Sequence, residues 1–305
     1  MIKAEQLSDS LRISIVMPCR NAEKTVERTL KSIVEQEYPD LELIVVDGLS
    51  TDRTLDIVRQ YRHIVSHIIC EKDHNATEAI NKGFRRATGD IRCYLNADDC
   101  FTRGALHRIA AEFIASADID VVTGGCKRVF ADGSAVENQV PECFERLMAL
   151  RNDIEQPSTF WRTSIHCKAG ELDESFSLAF DQEWWNRLRS CGARFRVIRD
   201  ILSIYYFTND NLTSNAGIRI VNEMYRITKT YGPYRGYLAD VYWMLFRLFD
   251  MKGYYDQPFS QLNMAKRFYF GAVLSLLYKL FGRETINAYN WNWASKQVRG
   301  ILWYR

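Results

Sequence analysis

The chain has 305 residues, of which 47% are hydrophobic, and this length and composition exclude a mostly disordered protein. The formal net charge is +2, from 40 Lys and Arg against 38 Asp and Glu, which gives no reason to expect nucleic acid as the main partner. The charge is uneven, because residues 216–305 hold 13 Lys and Arg against 5 Asp and Glu, and the residues before them are acidic overall.

Strands alternate with helices in the first 115 residues. An apolar, β-branched run at 12–17 predicts a buried strand, and residues 21–36 follow with helical spacing. The same alternation predicts further strands at 41–46, 65–70 and 91–95 and helices at 50–61, 77–87 and 102–115. We therefore predict an α/β fold with a doubly wound, mostly parallel sheet that is flanked by helices.

The pattern loosens after 121–123, and residues 140–188 read as loops with one helix around 181–189. From residue 218 the chain turns helical and holds 21 of its 39 Phe, Trp and Tyr residues. We accordingly predict a domain of residues 1–215 and a helical, basic and aromatic C-terminal extension of residues 216–305. This composition fits helices on a membrane surface beside anionic lipid, and it equally fits helices that pack on the first domain or on a second subunit.

The cysteines and the apolar runs give an expectation for the cellular compartment of the protein. Eight cysteines occur singly, without a Cys-x-x-Cys pair, which predicts reduced thiols. The first 11 residues contain no apolar run typical of a signal peptide, and the longest apolar stretch, 268–281, is shorter than the roughly 20 residues that span a bilayer. We expect a cytoplasmic protein without a transmembrane helix.

Two polar loops follow the first two predicted strands, at the edge where such sheets bind ligands. The first loop, 18–23, lacks the Gly-rich patterns that bind a dinucleotide or a triphosphate, which disfavours a dehydrogenase and a P-loop NTPase. The second loop has Asp47 at a strand tip, where its carboxylate can accept hydrogen bonds from a base or a ribose. Asp52 fits better as a helix cap.

The third polar loop contains Asp98 and Asp99 directly after a predicted strand. A hard divalent cation could bind these carboxylates and substrate phosphates together, and Mg²⁺ or Mn²⁺ would neutralise a diphosphate leaving group. Adjacent aspartates also occur in ordinary surface turns, so the pair alone leaves both interpretations open.

Five blocks of sequence, in order and with their spacing, resemble glycosyltransferase family 2, whose members have the GT-A fold. They are ISIVMP at 13–18, LIVVDG at 43–48 followed by STD and Thr54, AINKG at 79–83, ATGD at 87–90 and LNADD at 95–99. The resemblance covers about residues 12–210 and is to bacterial enzymes of exopolysaccharide and lipopolysaccharide synthesis. It implies an inverting hexosyl- or N-acetylhexosaminyltransferase that moves a sugar from a nucleotide diphosphate donor, with a UDP-sugar expected, to an acceptor hydroxyl.

The resemblance also implies roles for individual residues. The residues expected to bind the nucleotide sugar are Pro18, Arg20, Asn21, Asp47, Asn81 and Asp98. Asp99 falls on the metal motif and is the expected ligand of Mg²⁺ or Mn²⁺, whereas Asn96 departs from a strict Asp-x-Asp and is not expected to bind metal. Many members have Tyr in place of Arg20, although a guanidinium can also stack on a base.

The catalytic base is expected in FDQEWWNRL, which resembles the family block Asp-x-(Asp/Glu)-x-Trp-x-Arg-Leu. Asp181 is the predicted base that removes the proton of the acceptor hydroxyl. We expect Glu183 to be an exposed helix carboxylate, with a reserve role as base. Trp184 and Trp185 are predicted core residues, and Arg187 is expected to pair with a nearby carboxylate.

The expected partners are a nucleotide-sugar donor and a sugar or lipid-linked sugar acceptor, with peripheral association at the cytoplasmic face of the membrane and no nucleic acid. Two alternatives stay open: a catalytically inactive, nucleotide-binding scaffold of this fold, and a sugar-phosphate nucleotidylyltransferase. The latter needs a Gly-rich first loop with Arg and Lys, which residues 18–24 do not provide. The joint presence of Asp47, Asp99 and Asp181 favours an active enzyme.

Overall fold

The structure, a computed structural model, describes residues 10–142, 144–150, 152–207 and 218–232, together with residues 236, 237, 239, 240, 272, 276, 279 and 280. The chain divides into two compact units. The first comprises Met1–Val140, Glu155–Glu174 and Leu188–Phe207, and the second comprises Pro141–Ile154, Ser175–Arg187 and Thr208–Arg305. This division differs from the sequence-predicted boundary at residue 215, because two internal segments belong to the same unit as the C-terminal residues.

The described residues contain nine strands and eight α-helices. The strands are β1 (Ile13–Cys19), β2 (Leu41–Asp47), β3 (Val65–Cys70), β4 (Ile91–Tyr94), β5 (Cys100–Phe101), β6 (Val121–Phe130), β7 (Ala135–Asn138), β8 (Thr159–Arg162) and β9 (Phe195–Phe207). The helices are α1 (Val26–Val34), α2 (Thr54–Gln60), α3 (Ala76–Phe84), α4 (Ala105–Ala115), α5 (Phe144–Leu147), α6 (Thr163–Ala169), α7 (Phe180–Ser190) and α8 (Ile218–Tyr231). A 3₁₀ turn at Gln156–Ser158 precedes β8.

All nine strands form one sheet in the first unit, in the order β3-β2-β1-β4-β8-β6-β9-β5, with β7 paired to β6 beside this path. The first four of these strands run parallel. β8 is antiparallel to both β4 and β6, whereas β9 is parallel to β6 and antiparallel to β5. The predicted α/β sheet flanked by helices is confirmed. The loops expected within residues 140–188 are in part wrong, because β8 and α6 lie there.

The core explains why β1 is an almost continuous apolar run. Ile13, Ile15 and Met17 are fully buried in the main hydrophobic cluster, into which α1 contributes Leu30 and Ile33. Full burial of such a side chain contributes about 1.5–3 kcal/mol each. Burial of these side chains of β1 and α1 thus stabilises the part of the sheet that the first polar loop follows.

The other face of β1 requires a glycine on α3. A Cβ at Gly83 would lie 2.4 Å from Cγ1 of Val16, a distance that side chains do not tolerate. The absence of a side chain lets α3 pack directly on β1. This close contact accounts for the glycine in the AINKG block and fixes the height of Asn81 above the sheet.

A buried carboxylate ties β2 to the turn before β4. Glu42 is 1% exposed and accepts hydrogen bonds from Oγ of Ser14 and from N and Oγ1 of Thr88, the latter two at 2.7 and 2.8 Å. Burial opposes ionisation, but the hydrogen bonds from Ser14 and Thr88 and the charge of Arg12 outweigh it and lower the pKa of Glu42. The ATGD block is therefore held by a charged acceptor within the fold.

The second unit contains α8 and the part of α7 up to Arg187. Trp184 and Trp185 on α7 are fully buried, which confirms them as core residues. The expectation of an exposed Glu183 is wrong: its residue exposure is 4%, and it accepts hydrogen bonds from Nε of Arg187 at 3.0 Å and from the hydroxyl of Tyr231 at 2.9 Å. Arg187 pairs with a carboxylate, that of Glu183, as predicted. The contacts of Arg187 and Tyr231 hold Glu183 in the interior of the second unit.

Within the described part of the chain, no helix combines the length and the apolarity needed to cross a bilayer. α8 is helical, as expected for the start of the extension. The predicted helical stretches at 225–249 and 265–281 otherwise fall largely outside the described residues, so the choice between membrane contact and packing stays a prediction.

Candidate active site

Asn21 joins the first two polar loops. Its φ is +51°, its N–H donates to Oγ of Ser50 at 2.8 Å, and its side-chain Oδ1 accepts from the N–H of Thr51 at 2.9 Å. The left-handed conformation and these bonds exclude Asn21 from a helix, so α1 begins at Val26 and not at residue 21 as predicted. The structure thus gives Asn21 the role of holding one loop against the other.

Asp47 is buried at the tip of β2 and is surrounded by donors. The N–H and hydroxyl of Ser50 donate to it at 2.9 and 2.5 Å, and the thiols of Cys19 and Cys70 lie 3.7 and 3.6 Å from its two oxygens. Burial and then the charge of Asp47 raise the pKa of both thiols, so they stay protonated and can donate. Donors thus hold the carboxylate of Asp47 where three parallel strands end.

Two charged side chains flank Gly48, directly after Asp47. A Cβ at Gly48 would lie 3.1 Å from Oδ2 of Asp73 and 3.4 Å from Cδ of Arg20. Arg20 is exposed, whereas Oδ1 of Asp73 accepts from Nζ of Lys82 at 2.6 Å. Glycine therefore leaves room for both charges beside the strand tip. Pro18 lies one strand away, buried near the end of β1.

Asp52 bonds the start of α2, as predicted. Its Oδ1 accepts from the N–H of Thr54, the first residue of that helix, at 3.0 Å. Its Oδ2 accepts a hydrogen bond from the N–H of Glu23, in the first loop, at 3.1 Å. Asp52 is thus a structural acceptor that secures both loops.

Asp99 is the buried member of the aspartate pair. Its exposure is 0%, and Nδ2 of Asn96 donates to its Oδ2 at 3.3 Å. Its Oδ1 is buried and has no hydrogen-bond partner among the described residues. Burial and then the charge of Asp98 raise the pKa of Asp99 well above its usual value.

These features of Asp99 fit a cation ligand. A divalent cation would supply a partner for the open oxygen and would offset the cost of a buried charge beside Asp98. In the described part of the chain no group of three or more His, Cys, Asp or Glu side chains could enclose a metal. The arrangement therefore suits Mg²⁺-type binding, in which one or two carboxylates act together with substrate phosphates and water.

Arg28, which the sequence does not single out, supports the aspartate loop. It extends from α1, and its Nη2 donates to the carbonyl of Asp98 at 3.0 Å. From the other side, Nε2 of Gln156 donates to the carbonyl of Tyr94 at 2.7 Å, and Asn96 donates to Gln156 at 3.3 Å. These contacts fix the loop after β4. No local sequence pattern marks Arg28, because its role depends on the approach of a distant loop.

Asn81 on α3 is buried and satisfied within the protein. Its Nδ2 donates to the carbonyl of Leu172 at 2.9 Å and to Oε1 of Glu174 at 3.0 Å, and its Oδ1 accepts from the N–H of Leu172 at 3.0 Å. Asn75 donates to the carbonyl of Glu174 at 2.8 Å. The structure thus uses Asn81 to hold the segment around residue 172 against α3.

Asp181 lies in the first turn of α7, in the second unit. Nδ2 of Asn152 donates to its Oδ2 at 2.7 Å, and the N–H of Gln182 donates to its Oδ1 at 2.7 Å. Oδ1 of Asn152 is buried without a hydrogen-bond partner among the described residues. These two donors, both from the second unit, help to orient the carboxylate of Asp181.

Residues 14–169 match the family model of glycosyl transferase family 2, which is half of the chain. The chain belongs to glycosyltransferase family 2. TuaG of Bacillus subtilis, named as a teichuronic acid biosynthesis glycosyltransferase, is 31% identical over 67% of this chain and 82% of that protein. The poly(ribitol-phosphate) β-N-acetylglucosaminyltransferase TarS of Staphylococcus aureus is 30% identical over 65% of this chain, which spans only 35% of TarS.

Solved structures agree with the GT-A fold. Residues 1–349 of S. aureus TarS, in complex with UDP-GlcNAc, superpose with a TM-score of 0.60 at 18% identity, covering 97% of this chain and 93% of that one. The mannosyltransferase PcManGT of Pyrobaculum calidifontis, in complex with GDP-Man and Mn²⁺, gives 0.60 at 17% identity and covers 96% and 88%. The family and its relatives identify a glycosyltransferase and give no support to the nucleotidylyltransferase alternative.

Proposed function

We propose that this glycosyltransferase is an inverting enzyme that transfers a hexose or N-acetylhexosamine from a UDP-sugar to an acceptor hydroxyl during synthesis of a cell-surface polysaccharide. Buried Asp99, with its open oxygen beside Asp98, carries the proposal, because a diphosphate leaving group needs a cation at such a place. The names of TuaG and TarS support a cell-surface polymer as product, and the complex of TarS with UDP-GlcNAc supports a UDP donor.

The cofactor in this proposal is Mg²⁺ or Mn²⁺. Asp99 would hold the ion, and Asp98 would lie nearer the ribose or the donor sugar. The ion supplies positive charge to the departing diphosphate when bound. The Mn²⁺ in the PcManGT complex supports this assignment.

The nucleotide is assigned to the ends of β1 and β2. Pro18, Arg20 and Asp47 take the base and ribose in this proposal, because Asp47 ends β2 directly before Gly48 and the exposed Arg20 side chain lies beside that glycine. Asn21 and Asn81 contribute by positioning, since their described hydrogen bonds are to protein groups.

Asp181 is the proposed base. Its carboxylate accepts the proton of the acceptor hydroxyl while that oxygen forms a bond to the anomeric carbon. The bond from that carbon to the diphosphate oxygen breaks on the opposite face, so UDP leaves and the configuration inverts. Asn152 holds the carboxylate through Oδ2 at 2.7 Å, which leaves the ionised group oriented for proton transfer.

A sugar or a lipid-linked sugar is the proposed acceptor, with peripheral association at the cytoplasmic face of the membrane. The support is the excess of Lys and Arg and of aromatic residues in 216–305, a composition that favours anionic lipid surfaces. Such a location would bring the enzyme to membrane-bound acceptors.

The test is UDP release from a panel of UDP-sugars, with Mn²⁺ or with EDTA, in the presence of a membrane extract as acceptor source. Metal-dependent release from one donor is expected and would name the sugar. If every UDP-sugar fails, GDP- and dTDP-sugars are tested next. Failure with all donors would favour the inactive nucleotide-binding scaffold.

A further inference from the structure

α8 lies outside the family-matched residues 14–169, yet one of its side chains is bound to the start of the helix that carries Asp181. Glu223 is 8% exposed. One carboxylate oxygen accepts from the N–H and hydroxyl of Ser177 at 2.9 and 3.0 Å, and the other accepts from the N–H groups of Leu178 and Ala179 at 2.9 and 2.7 Å. Three consecutive backbone donors therefore converge on a single buried carboxylate.

The position of these donors determines what Glu223 does. The carbonyl of Ala179 accepts the N–H of Glu183 at 3.0 Å, so Ala179 directly precedes α7 and Asp181 lies in the first turn of that helix. The N–H groups before a helix have no partner within it, and the partial positive charge of the helix N-terminus favours an anion there. Glu223 thus binds, from another helix, the N–H groups of the three residues that lead into α7.

A second contact lies two residues beyond Asp181, at Glu183. The hydroxyl of Tyr231 donates to Glu183, and burial followed by the charge of Glu183 raises the pKa of Tyr231 to about 12, so it remains a donor. Glu223 and Tyr231 are eight residues apart on α8, which is about 12 Å along a helix. α8 thereby holds α7 before and after Asp181.

A third contact of α8 provides a control. Oγ1 of Thr228 donates to the carbonyl of Ala149 at 3.0 Å and is buried. This bond fastens α8 within the same unit without involving the N–H groups before α7.

We propose that Glu223 is a positioning residue for sugar transfer, which fixes the first turn of α7 and so the place of the Asp181 carboxylate. The inference rests on the proposed role of Asp181 as base. Through Glu223, α8 would position the catalytic base, although α8 lies beyond the family-matched residues.

The first experiment compares Glu223→Gln with Thr228→Val in the full-length protein, using the donor found by UDP release and a membrane extract as acceptor. Glutamine has one acceptor oxygen and turns an amide donor toward backbone N–H groups. We expect kcat to fall about 10- to 100-fold, with unchanged donor KM and UDP affinity, because a small displacement of a reacting group has effects of this size. Thr228→Val should change kcat less than twofold. Equal losses in the two variants would reduce Glu223 to a structural support and overturn the proposal.

The second experiment combines Glu223→Gln with Asp181→Asn. If Glu223 acts through Asp181, the two losses are not additive, and Glu223→Gln lowers the residual transfer of Asp181→Asn by less than twofold. A full additional loss would overturn the proposal. Near-wild-type transfer by Asp181→Asn alone would instead refute the base assignment, and the positioning role with it.

Glu223→Asp covers the case in which Glu223→Gln does not fold. The aspartate keeps the charge but is one methylene shorter, and its kcat should lie below that of the wild type and well above that of Asp181→Asn. A folded Glu223→Asp with wild-type KM and a kcat at the Asp181→Asn level would contradict a role that depends on the charge.

Discussion

The guanidinium of Arg28 lies 3.4 Å from the centre of the Tyr206 ring, and the same side chain donates to the carbonyl of Asp98 at 3.0 Å. A residue of α1 thus connects the end of β9 with the loop that carries the aspartate pair. The planar group allows both contacts at once, since it stacks through its face and donates through its edge.

Arg28→Lys should weaken the aspartate loop while it keeps the charge. We expect UDP affinity in Mn²⁺ to fall about 10-fold, because an ammonium group cannot stack and donate in the same geometry. Isothermal titration calorimetry measures the effect. Arg59→Lys on α2, which alters an exposed Arg paired with Asp56, is the matched control and should bind UDP normally. An unchanged affinity of Arg28→Lys would show that the loop does not need this contact.

Asp99→Asn tests the metal assignment with almost no change in volume. We expect UDP affinity in Mn²⁺ to fall about 10-fold or more, to the value measured in EDTA, because the amide has lost the charge that attracts the ion. Asp132→Asn, in an exposed turn, controls for the loss of one carboxylate. Metal-dependent UDP binding that persists in Asp99→Asn would make the assignment wrong.

Asp181→Asn and Asn152→Ala test the base and its partner. Asp181→Asn should remove transfer and leave UDP affinity nearly intact, because the amide cannot accept the hydroxyl proton. Asn152→Ala removes the donor at 2.7 Å and should lower kcat about 10-fold through loss of orientation. Transfer assays and calorimetry are run together. Near-wild-type transfer by Asp181→Asn would move the search to another carboxylate.

Glu42→Gln tests the buried network under Ser14 and Thr88. The variant should lose about 2–3 kcal/mol of unfolding free energy at pH 7, since a charged acceptor of several buried hydrogen bonds is removed. The folded-state pKa of Glu42 is lowered, so its contribution is complete well above the unfolded pKa of about 4.3 and declines as the pH falls through that value and then through the lowered one.

Urea unfolding at pH 7 and at pH 3.5 measures this contribution. The difference in midpoint between the wild type and Glu42→Gln should shrink at the lower pH. A difference that is the same at both pH values would mean that the charge of Glu42 does not stabilise the fold.

Deletion of residues 265–305 tests the membrane proposal. The segment contains seven Lys and Arg against one acidic residue, together with ten aromatic residues, so its removal should reduce sedimentation with anionic vesicles. Vesicles of neutral lipid are the control and should sediment little protein in either form. Equal sedimentation of the full chain and the deletion with anionic vesicles would favour packing of this segment on protein.

The sequence predicts the first half of the sheet because its strands are buried and parallel. β1, β2 and β4 appear as apolar runs, and each helix between them has a regular apolar face. β8 and β9 escape this reasoning for different reasons. β8 has four residues, and β9 mixes buried and half-exposed positions along its length, so neither gives a clear period.

The candidate site, like the sheet, is only partly predictable from the sequence. Asp47 and Asp99 can be located from the sequence because Asp47 ends an apolar strand and Asp99 lies in the polar loop that follows another. The thiols beside Asp47, the contact of Arg28 with Asp98 and the burial of Glu183 cannot, because each depends on residues that are distant in sequence. The pattern of apolar and polar residues thus locates the polar ends of the strands. Contacts between residues distant in sequence determine which groups support those ends.

The place of β9 in the sheet has a consequence for synthesis on the ribosome. β9 lies between β6 and β5, and both of these strands are translated before it. Until residue 207 has emerged, the edges of β6 and β5 that β9 later pairs with stay open, and open edges invite pairing with other chains. Slow translation between β6 and β9 prolongs this interval, so rare codons between residues 130 and 195 should increase aggregation of the nascent protein.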